Sequence, residues 1–179
     1  MFSRIWRGFR NDVTLYAELK GKSEFASESW IVLAVSILIG AVLADLLYSF
    51  RSVVLAVGVA GIQYAVVSIL MYLIIVALAW VIGTKVAKGI GSLTEVRTAL
   101  AYVHAIPLML APIPIIGALA SLWIFVTASF AIGETLGIRK VVAFVTFLAS
   151  YAAATAIYLG LAPAIVTASL RLSQIIVSH

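Results

Sequence analysis

The chain has 179 residues, of which 64% are hydrophobic and 11% charged, with no cysteine and a formal net charge of +5. So few charges cannot cover a water-soluble fold, where about a quarter of residues are charged; a soluble enzyme is excluded, and so is intrinsic disorder, which needs low hydrophobicity. The absent cysteines exclude disulfides, thiol catalysis, iron–sulfur clusters and thiolate zinc sites, which leaves an all-α, polytopic integral membrane protein.

Residues 1–28 carry five basic and four acidic side chains and no apolar run, unlike a secretory signal peptide. They read as a cytoplasmic amphipathic helical segment. Leu15, Tyr16 and Leu19 form an apolar stripe on it, flanked by Phe9 and Phe25. Such a stripe suits docking on the inner leaflet or on a cytoplasmic protein partner. Glu28 to Asp45 then encloses 16 uncharged residues, one span at 29–48 with Asp45 at its far rim. Arg51 to Lys85 encloses 33, too long for one upright span and too short for two. Residues 53–61 read as an interfacial lead-in and 62–83 as the second span, opened by Gln63.

Arg97 to Glu134 encloses 36 uncharged residues, interrupted by Pro112 and Pro114, which break helix geometry and predict a hairpin. Ser92 and Glu95 fit a capping box, so the first arm is 93–111, about 28 Å long at 1.5 Å per residue. The second arm is 115–133. The block from Lys140 to Arg171 gives a fifth span at 141–161, stopped by Gly160 and Pro163. Residues 162–179 follow as a short amphipathic interfacial tail, because a sixth span would have to carry Arg171.

Basic residues in such a protein set orientation and meet anionic lipid, so the net charge does not predict a nucleic-acid partner. With the N-terminus in the cytoplasm, five spans put ten of the twelve basic residues inside and leave only Arg51 and Arg171 outside. That asymmetry predicts a multi-pass protein of the cell membrane with its C-terminus outside. No internal repeat is visible, so the inverted-repeat signature of secondary transporters is missing.

The segment from Thr98 to Pro107 contains Tyr102 followed five residues later by Pro107. A proline- and glycine-containing turn follows at Pro112–Gly117, then a span around Trp123, then Gly133-Glu134-Thr135-Leu136-Gly137-Ile138-Arg139. This pattern resembles the Yip family of Ypt/Rab-interacting five-span membrane proteins, over residues 85–160. The eukaryotic branch has a long cytoplasmic N-terminus with an Asp-Leu-Tyr-Gly-Pro-like motif that residues 1–30 lack, so the likeness is to a minimal prokaryotic member. The resemblance implies a five-span bundle and a non-enzymatic role in membrane organisation.

His104 is the one titratable group predicted near mid-membrane, where ionisable residues are costly and often mark a proton or substrate path. The plainer reading is a structural imidazole bonded to a backbone carbonyl freed near Pro107. Asp45 is expected to pair with Arg51 at the outer rim. Glu134, at a helix C-terminus where the dipole disfavours it, is expected to form an ion cluster with Arg139 and Lys140. Small residues at four-residue spacing (Ser36, Gly40, Ala44; Gly117, Ser121; Ala149, Ala153, with Ala152, Ala156, Gly160) suit helix packing or homo-oligomerisation. Trp30, Tyr48, Trp80 and Tyr158 fall near span ends as an aromatic belt, and Trp123 is expected to be packed mid-span.

No His-Glu-x-x-His helix, Gly-x-Ser-x-Gly elbow or phosphate loop is present, and no metal or other cofactor is expected. The leading expectation is a non-enzymatic scaffold of the Yip type that recruits partners from the cytoplasmic side through its N-terminal helix. The alternative is a small oligomeric channel or transporter whose path passes His104, Pro107 and Gln63.

Overall fold

The computed structural model describes residues 1–49 and 59–177. The elements are α1 (Phe2–Phe9), α2 (Val13–Leu19), α3 (Ser23–Ser49), α4 (Val59–Val81) with a π-helical turn (Ile82–Val86), α5 (Leu93–Leu110), α6 (Pro114–Leu136) and α7 (Lys140–Val177). No strand occurs among the described residues, as an apolar environment requires when each backbone group must find its partner within its own segment. Four stretches are long and apolar enough to cross a membrane: Glu24–Tyr48, Ala60–Val86, Pro114–Leu136 and Lys140–Ala164.

The turn chemistry follows the sequence closely. Ser92 caps α5, its hydroxyl accepting from the Glu95 N–H while the Glu95 carboxylate accepts from the Ser92 N–H at 2.8 Å. Pro114 opens α6 at a position where a missing N–H costs nothing, and α5 and α6 form the expected hairpin. Its second arm runs past Gly133 to Leu136, because the left-handed cap is Gly137, with φ of +67°.

α7 departs from expectation. It does not stop at 161 but runs on to Val177, 38 residues in all, with Pro163 inside it. A proline removes one helical hydrogen bond, here the one to the Leu159 carbonyl. The remaining bonds carry the helix through, and Thr167 Oγ1 donates to the Pro163 carbonyl at 2.8 Å.

Long helices consecutive in the chain alternate in direction. α3 runs parallel to α5: Arg97 donates to the Ala26 carbonyl at 2.9 Å, Gly40 lies against Leu108, and Tyr48 Oη reaches the Pro112 carbonyl at 3.1 Å. α4 runs the other way, with Tyr72 on the Arg97 carbonyl and Tyr64 on that of Leu108. α5 sits at the centre, touched by α1, α2, α3, α4 and α6, and the unbroken run Thr98–Ala105 is buried. Its charged first turns and its proline lower its hydropathy. Neighbouring helices, rather than lipid, meet most of its surface.

The N-terminal stripe is not left open. Asn11, with φ of +59°, turns α1 back into α2, and this short hairpin packs on α5 and α6. Leu15, Tyr16 and Leu19 are buried there, so the face expected to dock on lipid or on a partner is covered by the chain itself. Gly8 lets α1 approach the Tyr102 backbone, where an added Cβ would lie 3.0 Å from the carbonyl oxygen. Trp123, expected to be packed, is 41% exposed; its Nε1 donates to the Phe9 carbonyl at 2.7 Å, which ties α1 to α6.

Candidate functional site

The polar residues gather in two places. The first is an ion network that holds the N-terminal hairpin. Arg7 bridges Asp12 at 2.8 Å and Glu18 at 2.6 Å, while Arg4 bridges Glu28 at 2.7 Å and Glu18 at 3.3 Å. Asp12 also caps α2, accepting from the Thr14 N–H at 3.0 Å. The Thr14 hydroxyl and the Arg7 guanidinium hold the Asp12 carboxyl down to about 2. Arg7 holds Glu18 below its ordinary range. Burial pushes the Tyr16 phenol up. Tyr102 is fully buried at the edge of this network. Its hydroxyl lies beside Glu28 and Arg4, and the N-terminal ammonium lies 3.5 Å from Glu28 Oε1.

The second place is a cavity of about 330 Å³ among α4, α5, α6 and α7, within the usual size range of small-molecule sites. α5 contributes His104, Pro107, Leu108 and Ala111; α4 contributes Tyr64, Ser68, Met71 and Tyr72; α6 contributes Ser121 and Ile124; α7 contributes Tyr151, Thr155 and Tyr158. No charged side chain lines it.

His104 is 5% exposed. Its Nδ1 lies 2.8 Å from the Leu100 carbonyl oxygen. A carbonyl can only accept, so Nδ1 carries the proton and, in the neutral ring, Nε2 is an acceptor. The carbonyl released by Pro107 is that of Val103, so His104 bonds a different carbonyl from the one the proline frees. The imidazole meets Tyr72 and Phe147 edge-on, with centroids 5.7 and 6.1 Å away. Phe125 continues this aromatic floor to Phe147 and Tyr151 at 5.4 and 5.0 Å. Such edge contacts suit ring quadrupoles and fix ring orientation.

The structure therefore brings His104 and Pro107 together in the cavity and leaves the other expected residues outside it. Gln63 is half-buried in the second turn of α4 and does not line the cavity. Tyr102 faces the N-terminal hairpin. Asp45 lies near the end of α3, beside Gly61, and its expected partner Arg51 falls outside the described residues. Glu134 forms no ion pair with Arg139 or Lys140 among the described residues, which corrects that expectation. Gly137 ends α6 beyond it, and the Lys140 ammonium sits over the Phe130 ring, 4.3 Å from its centroid.

Of the four cavity tyrosines only Tyr158 is singled out from sequence, as a belt residue, although the spacing of all four carries the signal. Tyr64 and Tyr72 are eight apart on α4, and Tyr151 and Tyr158 are seven apart on α7. Two helical turns put each pair on one face. Of the small-residue faces, Ser36 and Ala44 are buried within the bundle, whereas Ala149, Ala152, Ala156 and Gly160 are exposed along α7.

Among the described residues no group of three or more His, Asp or Glu could hold a metal ion. Comparison with family models, with characterised proteins and with solved structures finds no match.

Proposed function

We propose that this protein is a five-span integral membrane protein that binds, and passes along its bundle, a small uncharged molecule taken up in the cavity beside His104. The fifth span is α5, whose 18 residues reach about 27 Å at the centre of four longer apolar helices. The observation that carries the reading is the cavity itself: uncharged, walled by aromatic rings and supplied with a few polar groups, as small-molecule sites are. An ion path is disfavoured by the same lining, since a charge moved there would find no compensating partner. The orientation follows the positive-inside argument, with the α1–α2 hairpin in the cytoplasm.

The test is binding of naphthalene to the protein in nanodiscs, against Thr155→Trp, which fills the cavity from α7. Saturable binding is expected in the native chain and its loss in the variant; equal uptake by both would refute the site. In proteoliposomes, His104→Ala is expected to abolish flux of a bound solute. The five-span arrangement predicts that a cysteine at Pro114 labels only from outside and one at Arg139 only from inside.

A second reading keeps the Yip-type scaffold. It is favoured by α1, where Phe2 and Trp6 are 78% and 53% exposed although the opposite face is docked. Deleting residues 1–10 would then remove partner co-purification or vesicle remodelling, and unchanged behaviour of the deleted form would refute it.

A further inference from the structure

His104 differs from the other polar groups around the cavity in what it offers a ligand. The hydroxyls of Tyr64 and Tyr72 are committed to the carbonyls of Leu108 and Arg97. Thr155 donates to the Tyr151 carbonyl at 2.9 Å. Those of Ser121 and Tyr151 can both donate and accept, so they adapt to either kind of ligand. The imidazole is constrained. Its Nδ1 proton is held by its own helix at 2.8 Å, which leaves Nε2 as an acceptor with no partner among the described residues, on a side chain 95% removed from the surface and lining the cavity. An acceptor shut in against an apolar ligand and left unpaired costs more than a paired one returns, so this atom discriminates in favour of a ligand that brings a donor. A ketone, ether or ester would set one lone pair against another. An ammonium would bring a charge into a lining that has none. The rings of Tyr72 and Tyr151 add flat apolar walls, held in place by edge-to-face contacts that run from Tyr72 through His104, Phe147 and Phe125 to Tyr151.

We infer that the cavity takes an uncharged ring-bearing alcohol, an aromatic or alicyclic body with one hydroxyl that donates to His104 Nε2. This inference rests on the small-molecule reading of the cavity given above, and the experiment separates the two. The probes are 2-naphthol and 2-methoxynaphthalene, of nearly the same shape, of which only the first has a donor. Binding to the full chain in nanodiscs is measured by fluorescence, with each probe corrected for its partition into protein-free discs.

The expected result is 2-naphthol at least about tenfold tighter, equivalent to about 1.4 kcal/mol. In His104→Phe, which keeps a ring on the aromatic floor but removes the acceptor, the preference for 2-naphthol over 2-methoxynaphthalene is expected to fall below about threefold. Nitrogen NMR of the native chain labelled only at histidine supplies a readout that does not depend on a variant folding. The Nε2 resonance of His104 should move when 2-naphthol is added and stay when 2-methoxynaphthalene is added, with His179 as the unaffected reference. If both probes bind equally, or Nε2 does not respond, or His104→Phe keeps the preference, the donor assignment is overturned while the cavity reading stands. If neither probe binds, the cavity reading falls and the assignment falls with it.

Discussion

Gly40 sits where three helices meet. A Cβ built on it would lie 2.5 Å from the Leu108 carbonyl oxygen on α5 and 2.6 Å from Cε1 of Tyr64 on α4. The same carbonyl accepts the Tyr64 hydroxyl, so any group added at 40 presses on the hydrogen bond that sets one wall of the cavity. Gly160 on α7 is the natural control, because its added Cβ would meet nothing within 4 Å. Alanine is a better helix former than glycine by about 1 kcal/mol, and that gain is common to both sites. The difference between Gly40→Ala and Gly160→Ala therefore isolates the overlap, expected to cost about 1–3 kcal/mol where a backbone atom has to move. At roughly 2–4 °C per kcal/mol for a chain of this length, Gly40→Ala should melt roughly 2–12 °C below Gly160→Ala. The assay is thermal unfolding in one detergent, followed by tryptophan fluorescence. Gly160→Ala should match or exceed the native chain. Equal melting temperatures for the two variants would refute the close approach of α3 to α5 and with it the position given to Tyr64.

Three further outcomes follow from the N-terminal hairpin and the α5 cap. The carboxyls of Asp12 and Glu18 are held below their ordinary range, so their stabilisation is complete at neutral pH and is lost as pH falls from about 4 toward 2; spin labels at Arg10→Cys and Leu122→Cys should show a single short distance at pH 7 that broadens below pH 3. A distance unchanged down to pH 2.5 would mean that apolar packing alone holds the hairpin. The Trp123→Phe change removes the bond to the Phe9 carbonyl, weakening α1 docking by about 0.5–1.5 kcal/mol, and the same labelled pair should broaden at neutral pH. Ser92→Ala, which removes the α5 cap, should cost about 1 kcal/mol, measured as a lower melting temperature, whereas a change at exposed Ile90 in the preceding loop should not.

Local signals survived translation into structure best. The α5 cap was readable because Ser92 and Glu95 satisfy each other's backbone donors without help from any other helix. The α5–α6 hairpin was readable because Pro112 and Pro114 act on their own turn. Signals that compete with tertiary context did not carry. Gly160 and Pro163 look like a stop, yet the helical turns on either side of Pro163 hold without the one bond it removes, and α7 runs 38 residues in all. The stripe of Leu15, Tyr16 and Leu19 was legible as a docking face, but its occupant was not, because α5 and α6 lie more than seventy residues away in sequence. At the candidate site, His104 and Pro107 stood out as exceptions within an apolar run. The tyrosines that complete the cavity did not, since an aromatic residue in a membrane helix reads first as a belt residue.

The position of α5 links these observations. A helix with Glu95, Arg97, His104 and Pro107 in its sequence is a poor match to lipid, and it is the helix that the fold surrounds most completely. Enclosure lets polar groups on α5 be met by neighbours: Arg97 by the Ala26 carbonyl and the Trp30 ring, the Arg97 and Leu108 carbonyls by Tyr72 and Tyr64. Each of these pairings consumes one polar group from each helix. His104 is met only halfway, through Nδ1. Beside it Pro107 contributes a ring in place of a longer side chain, and Ala111 and Ser121 are also small, so the neighbouring helices do not close over this stretch. The cavity thus lies where the satisfaction of α5 stops short, and the unmatched acceptor of His104 and the unfilled space belong to the same place in the bundle.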